Sequence, residues 1–73
     1  MAHVKIEMDR GAGWETRNEG DIAITADQLA AQMPHYAIQY AHRAFLDGAL
    51  IAEAQRPHGR RGKAVLVRHD AAA

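Results

Sequence analysis

Four of the nine lysines and arginines of this chain, Arg56, Arg60, Arg61 and Lys63, fall within one short stretch, RPHGRRGK. Cations crowded into a Gly/Pro-rich segment form the place where a polyanion would be met. A second group needs a helix to assemble it. At about 100° per residue, Tyr36, Gln39, Tyr40 and Arg43 share one face, opposite Ile38, Ala41 and Phe45, which gives a hydrogen-bonding side and a core side. Catalytic inventories are poor by comparison. The chain has no serine and no cysteine, and Thr16 and Thr25 have other duties, so nucleophilic catalysis is not expected. His3, His35, His42, His58 and His69 show no i, i+4 spacing of the kind that chelates a metal, and no metal or other cofactor is expected. His42 reads as a polar residue at the rim of a core. Glu7 and Asp9 point to one side of a strand with nothing to hold a substrate between them, and Gly11-Ala12-Gly13 is too short for a phosphate loop. The chain is not expected to be an enzyme.

The elements that would position these groups are organised around residues 25–51. Thr25 followed three residues later by Gln28 is a capping box that starts a helix at Ala26, with Leu29, Ala30 and Met33 as its apolar stripe. Pro34 predicts a break near residues 33–35, and a second helix follows over 35–46. Asp47-Gly48 offers a left-handed stop. For residues 49–55 propensity and burial disagree: ALIAEAQ favours helix, but a continued helix would be apolar on nearly every side. Ahead of this, Val4, Ile6 and Met8 alternate with Lys5, Glu7 and Asp9 as a half-buried strand does. RGAG at 10–13 is a turn, and whether 2–18 form a hairpin is left open. Ile22-Ala23-Ile24 is a short strand or a staple onto Leu29. Ala64-Val65-Leu66-Val67 reads as a strand, and residues 70–73 as a frayed, disordered tail.

Size and charge bound the rest. With 73 residues the chain is a single domain that buries only about 60% of its unfolded surface, and much of its 48% hydrophobic content is alanine. The net charge of zero hides a polarity. Residues 1–34 carry Lys5, Arg10 and Arg17 against six acids, and residues 35–73 carry six Lys or Arg against three. No apolar run approaches a membrane span and no signal peptide is visible, so the expected location is cytoplasmic.

Taken together, residues 22–69 resemble the core of a winged helix-turn-helix domain. ITADQLAAQM is similar to the first helix of that motif, IQYAHRAFLDGALI to the recognition helix and its exit, RPHGRRGK to a basic wing tip, and AVLVRH to the return strand. The resemblance implies an α+β fold with a β-rich N-terminal segment (1–21), a winged-helix-like core (22–69) and a C-terminal β-hairpin wing. It also implies a DNA-binding regulator. Tyr36, Gln39, Tyr40 and Arg43 would face the major groove, where Gln pairs with adenine and Arg with guanine. Arg60, Arg61 and Lys63 would grip phosphates or enter the minor groove beside the wing, and Arg56 belongs to the same DNA-binding set. Double-stranded DNA would be the partner, and a homodimer is compatible with it. The alternative is a structural or interaction subunit, such as a component of a phage-like particle or a small inhibitor, that binds protein subunits of a larger assembly. In that case a helix from 26 to about 54 runs unbroken, Leu29, Met33, Tyr36 and Tyr40 form one seam, and residues 4–9 pair with 64–68.

Overall fold

The computed structural model describes residues 1–36, 40–55 and 65–69. These residues form an α+β fold, with one helix laid on a five-stranded antiparallel sheet. Strands β1 (Ala2–Asp9) and β2 (Trp14–Ile22) form a hairpin, α1 (Ala26–Tyr36) follows, and β3 (Ala41–Leu46), β4 (Ala49–Gln55) and β5 (Val65–Arg68) make a meander. The order across the sheet is β2-β1-β3-β4-β5. The α1 crossover therefore returns the chain to the far side of β1, and β3 pairs there antiparallel.

The alternation in β1 works as read: Val4 and Ile6 are buried on the helix side, with His3, Lys5 and Glu7 opposite. Gly11 and Gly13 turn the hairpin at φ +106° and +103°, conformations that a side chain would strain. Across from Ile6 and Glu7 the register slips from Asn18 to Thr16, so Arg17 is the extra residue of a β-bulge. The capping box is present in both directions. The Thr25 N–H donates to Gln28 Oε1 at 3.0 Å, and the Gln28 N–H donates to Thr25 Oγ1 at 3.1 Å. Helix α1 then buries Leu29, Ala30 and Met33.

Two expectations are corrected. First, α1 runs through Pro34 to Tyr36. The proline forfeits one backbone hydrogen bond near the end of a helix whose preceding residue, Met33, is fully buried and holds the turn in place. Second, the helix read over 35–46 is a strand over Ala41–Leu46, lying between β1 and β4. His42 and Ala44 point into the core while Arg43 lies on the opposite face, so period two prevails over 3.6 because pairing on both sides satisfies the backbone. ALIAEAQ, where propensity and burial disagreed, is β4, in the direction that burial favoured. The unbroken helix of the alternative fails for the same reason. Its residues 4–9 and the strand at 65–68 do share a sheet, but β3 and β4 separate them. The arrangement of a winged helix is therefore absent from the described residues, whereas the β-rich start and the β4–β5 pairing agree with expectation.

Asp47-Gly48 does interrupt the chain, as a hairpin turn rather than a helix stop. Both residues have positive φ, 51° and 84°, which a two-residue type I′ turn requires. The turn is tied to β1 by Asp47 N–H donating to the His3 carbonyl at 2.8 Å and His3 N–H donating to Asp47 Oδ1 at 2.9 Å. A second bulge, between Ala44 and Phe45 on β3, makes Ile51 the extra residue and brings it into the core beside Ala52. Alanines 44, 52 and 54 are at most 1% exposed, and their small size lets α1 lie close over β3 and β4. Among the described residues no helix is long and apolar enough to cross a membrane.

Candidate interaction surface

Helix α1 covers one face of the sheet, and the described residues leave the other face open. On that face Arg43 projects from β3 and directly opposes Glu7 of β1. Its Nε donates to Glu7 Oε1 at 2.6 Å, and its guanidinium carbon lies 4.2 Å from the ring centre of Trp14 and 5.2 Å from that of Phe45. The planar cation is thus held between two aromatic side chains and a carboxylate, with the Arg43 and Glu7 side chains only 26% and 13% exposed. Lys5 approaches Glu7 from the same strand at 3.6 Å.

Next to this cluster, His3 donates from both ring nitrogens, Nδ1 to Asp21 at 2.9 Å and Nε2 to Glu19 at 2.7 Å. The hydrogen bonds to Asp21 and then Glu19 raise its pKa above the ordinary histidine value. A cleft of about 360 Å³ opens between the two groups, lined by His3, Lys5, Glu7, Glu19, Arg43 and Phe45. Its charges are satisfied by one another. The two carboxylates take opposite sides of one imidazole and cannot converge with it on a metal ion, and no cluster able to hold a metal occurs among the described residues.

His42 lies deeper than the rim of the core, at 1% exposure. A guanidinium can only donate, so Arg17 Nη1 at 2.8 Å makes His42 Nε2 the acceptor; Nδ1 then carries the proton and donates to the Tyr40 carbonyl at 2.8 Å. Burial, reinforced by the Arg17 charge and opposed by the Tyr40 hydrogen bond, lowers its pKa. The ring is a neutral bridge between the β2 bulge and the start of β3.

Of the anticipated groove-reading set, the described residues Tyr36, Tyr40 and Arg43 do not share one helix face. Tyr36 ends α1, Tyr40 precedes β3 at 36% exposure, and Arg43 is engaged on the open sheet face. Gln39, Arg56, Arg60, Arg61 and Lys63 lie outside the described residues. The exposed positions of α1, namely Asp27, Gln28, Ala31, Gln32 and His35, include no lysine or arginine, so α1 does not stand in for a recognition helix.

The two sheet edges differ sharply. β2 is bulged and carries Glu15, Arg17, Glu19 and Asp21, which protect an edge from pairing. β5 is unbulged and presents Val65, Leu66 and Val67 at 44%, 36% and 43% exposure. The sequence marked this run as a strand, but nothing in it marked an edge. Nor did it pair Glu7 and Trp14 with Arg43, although the alternation of β1 already set Glu7 on the face away from the core. In comparisons with protein-family models, curated proteins and solved structures, the chain has no significant match to any.

Proposed function

We propose that this chain is a non-enzymatic interaction protein that docks extended segments of other proteins along the edge of β5, which the described residues leave open. One observation carries the reading: an unbulged apolar edge strand, uncharged until Arg68, on a sheet whose opposite edge is bulged and charged. Addition of a strand to such an edge gains main-chain hydrogen bonds and covers alternate side chains on both faces. Trp14 and Arg43, of types enriched at binding hot spots, extend the surface across the open face together with Phe45.

The backbone register provides the test. His69 N–H donates to the Ile51 carbonyl, so in an antiparallel pair Val67 and Val65 also turn their backbone groups toward β4, and Leu66 turns its own away. Leu66→Pro therefore removes an outward donor without breaking the β4–β5 ladder. Peptides selected from a random display library on the native chain should lose binding to L66P while circular dichroism is unchanged. Peptides that bind both chains equally would place docking elsewhere and end the reading.

A second reading rests on charge. Residues 56–64 join the adjacent strands β4 and β5 and carry Arg56, Arg60, Arg61 and Lys63, while the remaining chain has five Lys or Arg against nine Asp or Glu. Contact with duplex DNA through this basic connection, without a reading helix, is electrostatic and insensitive to sequence. Fluorescence anisotropy at low salt should show binding that weakens steeply with salt and is lost in Arg60→Ala plus Arg61→Ala. Identical binding by the variant would remove it.

A further inference from the structure

We infer that the segment taken up by β5 is β5 of a second copy, so that two chains join edge to edge about a two-fold axis at Leu66. The inference rests on the docking reading above and adds the partner.

Backbone register selects the partner. Backbone groups facing away from β4 belong to Leu66 and not to its neighbours Val65 and Val67, so a new antiparallel strand must set an outward-facing residue opposite Leu66. When that strand is a second β5, the two-fold axis then passes through a residue position, not between residues. Val65-Leu66-Val67 reads the same in both directions. With the axis at Leu66, each Leu66 exchanges two hydrogen bonds with its counterpart, and each Val65 lies opposite the other chain's Val67. The faces match as well. Leu66 pairs with buried Ala54 and lies on the α1 side, while Val65 and Val67 pair with Gln55 and Glu53 and lie on the open side. Two leucines therefore meet beside the helices, and four valines meet on the opposite face. Moving the axis to Val67 would set Leu66 against Arg68, an apolar residue against a cation already bridged to Asp27 at 3.1 Å. The pairing closes on itself, which yields a dimer and not a fibre. A chain of zero net charge adds no long-range repulsion between copies. The edge is only four residues long, so the contact is small and the dimer dissociates on dilution.

Sedimentation equilibrium of the full chain, from low micromolar to near-millimolar concentration, should show a reversible monomer–dimer equilibrium. Leu66→Lys, which opposes two cations on the axis, should weaken it at least tenfold. Because Leu66 also touches the helix side, cysteine variants give an independent readout in a chain that has none of its own. A hydrogen-bonded antiparallel pair has Cα atoms about 5.5 Å apart, within disulfide reach. Leu66→Cys should therefore oxidise to a linked dimer many times faster than Val67→Cys, whose counterpart across the interface is Val65, and faster than Asn18→Cys on the far edge. A monomer at every concentration, or cross-linking of Val67→Cys or Asn18→Cys as fast as Leu66→Cys, would overturn the inference. A monomer whose selected peptides still require Leu66 would overturn the dimer alone and leave the docking edge intact.

Discussion

Replacing Arg43 and Glu7 singly and together tests whether the open face is held by the arrangement described. The two residues oppose each other on β1 and β3, joined by a 2.6 Å hydrogen bond between side chains that are less than one-third exposed. A charge-assisted bond of this kind contributes about 1.5–3 kcal/mol, and the guanidinium beside Trp14 adds about 0.5–1 kcal/mol through cation–π contact. Arg43→Met keeps most of the aliphatic packing but leaves a 13%-exposed carboxylate with Lys5 at 3.6 Å as its nearest cation. It should cost about 2–4 kcal/mol. Glu7→Gln keeps an acceptor oxygen and loses the charge, for about 1–2 kcal/mol. The double variant should fall short of the sum by about 1–2 kcal/mol, the coupling expected of residues in direct contact. In a domain of this size each kcal/mol lowers Tm by roughly 4–8 °C, so the differences are readable in both urea and thermal unfolding. Additivity within about 0.3 kcal/mol would show instead that the pair is as solvated as an ordinary surface ion pair and does not hold the face together.

Other consequences follow from the same structure. Gly48 sits at φ +84° with open space where a Cβ would be, so Gly48→Ala should cost about 1–2 kcal/mol through backbone strain alone, measured by urea unfolding. Ala52 is fully buried beneath α1, and Ala52→Leu should destabilise by about 1–3 kcal/mol by forcing the helix away, with the largest amide shifts in α1 and β4. The two perturbed histidines give opposite pH dependences around their ordinary value of 6.5. His42, lowered by burial, contributes stability that is complete above pH 6.5 and is lost as pH falls through 6.5 toward its folded value; His3, raised by Asp21 and Glu19, contributes stability that is complete below pH 6.5 and is lost as pH rises through its folded value. NMR titration should show His42 charging below and His3 above the free-histidine midpoint, and the reverse order would contradict the assigned hydrogen bonds.

Features whose causes are local could be read from the order of residues alone. Thr25 and Gln28 satisfy each other's backbone donors wherever the helix happens to lie, so the start of α1 was legible. The alternation of residues 4–9 defined a strand with an inner and an outer face, and the Asp-Gly pair offered a left-handed interruption at 47–48, though as a helix stop and not as a reversal of the chain. What lay on either side of residues 47–48 was settled by long-range pairing. AHRAFL and ALIAEAQ have no strong strand propensity. They become β3 and β4 because β1, some 36 residues distant at Glu7 and Arg43, supplies the hydrogen bonds that a helix would have found within itself. The helical wheel that grouped Tyr36, Tyr40 and Arg43 dissolved with that pairing, and the Arg43 cluster with Glu7 and Trp14 took its place. Strand order is likewise set by long-range pairing, and it alone made the apolar run at 65–67 an edge instead of a core strand.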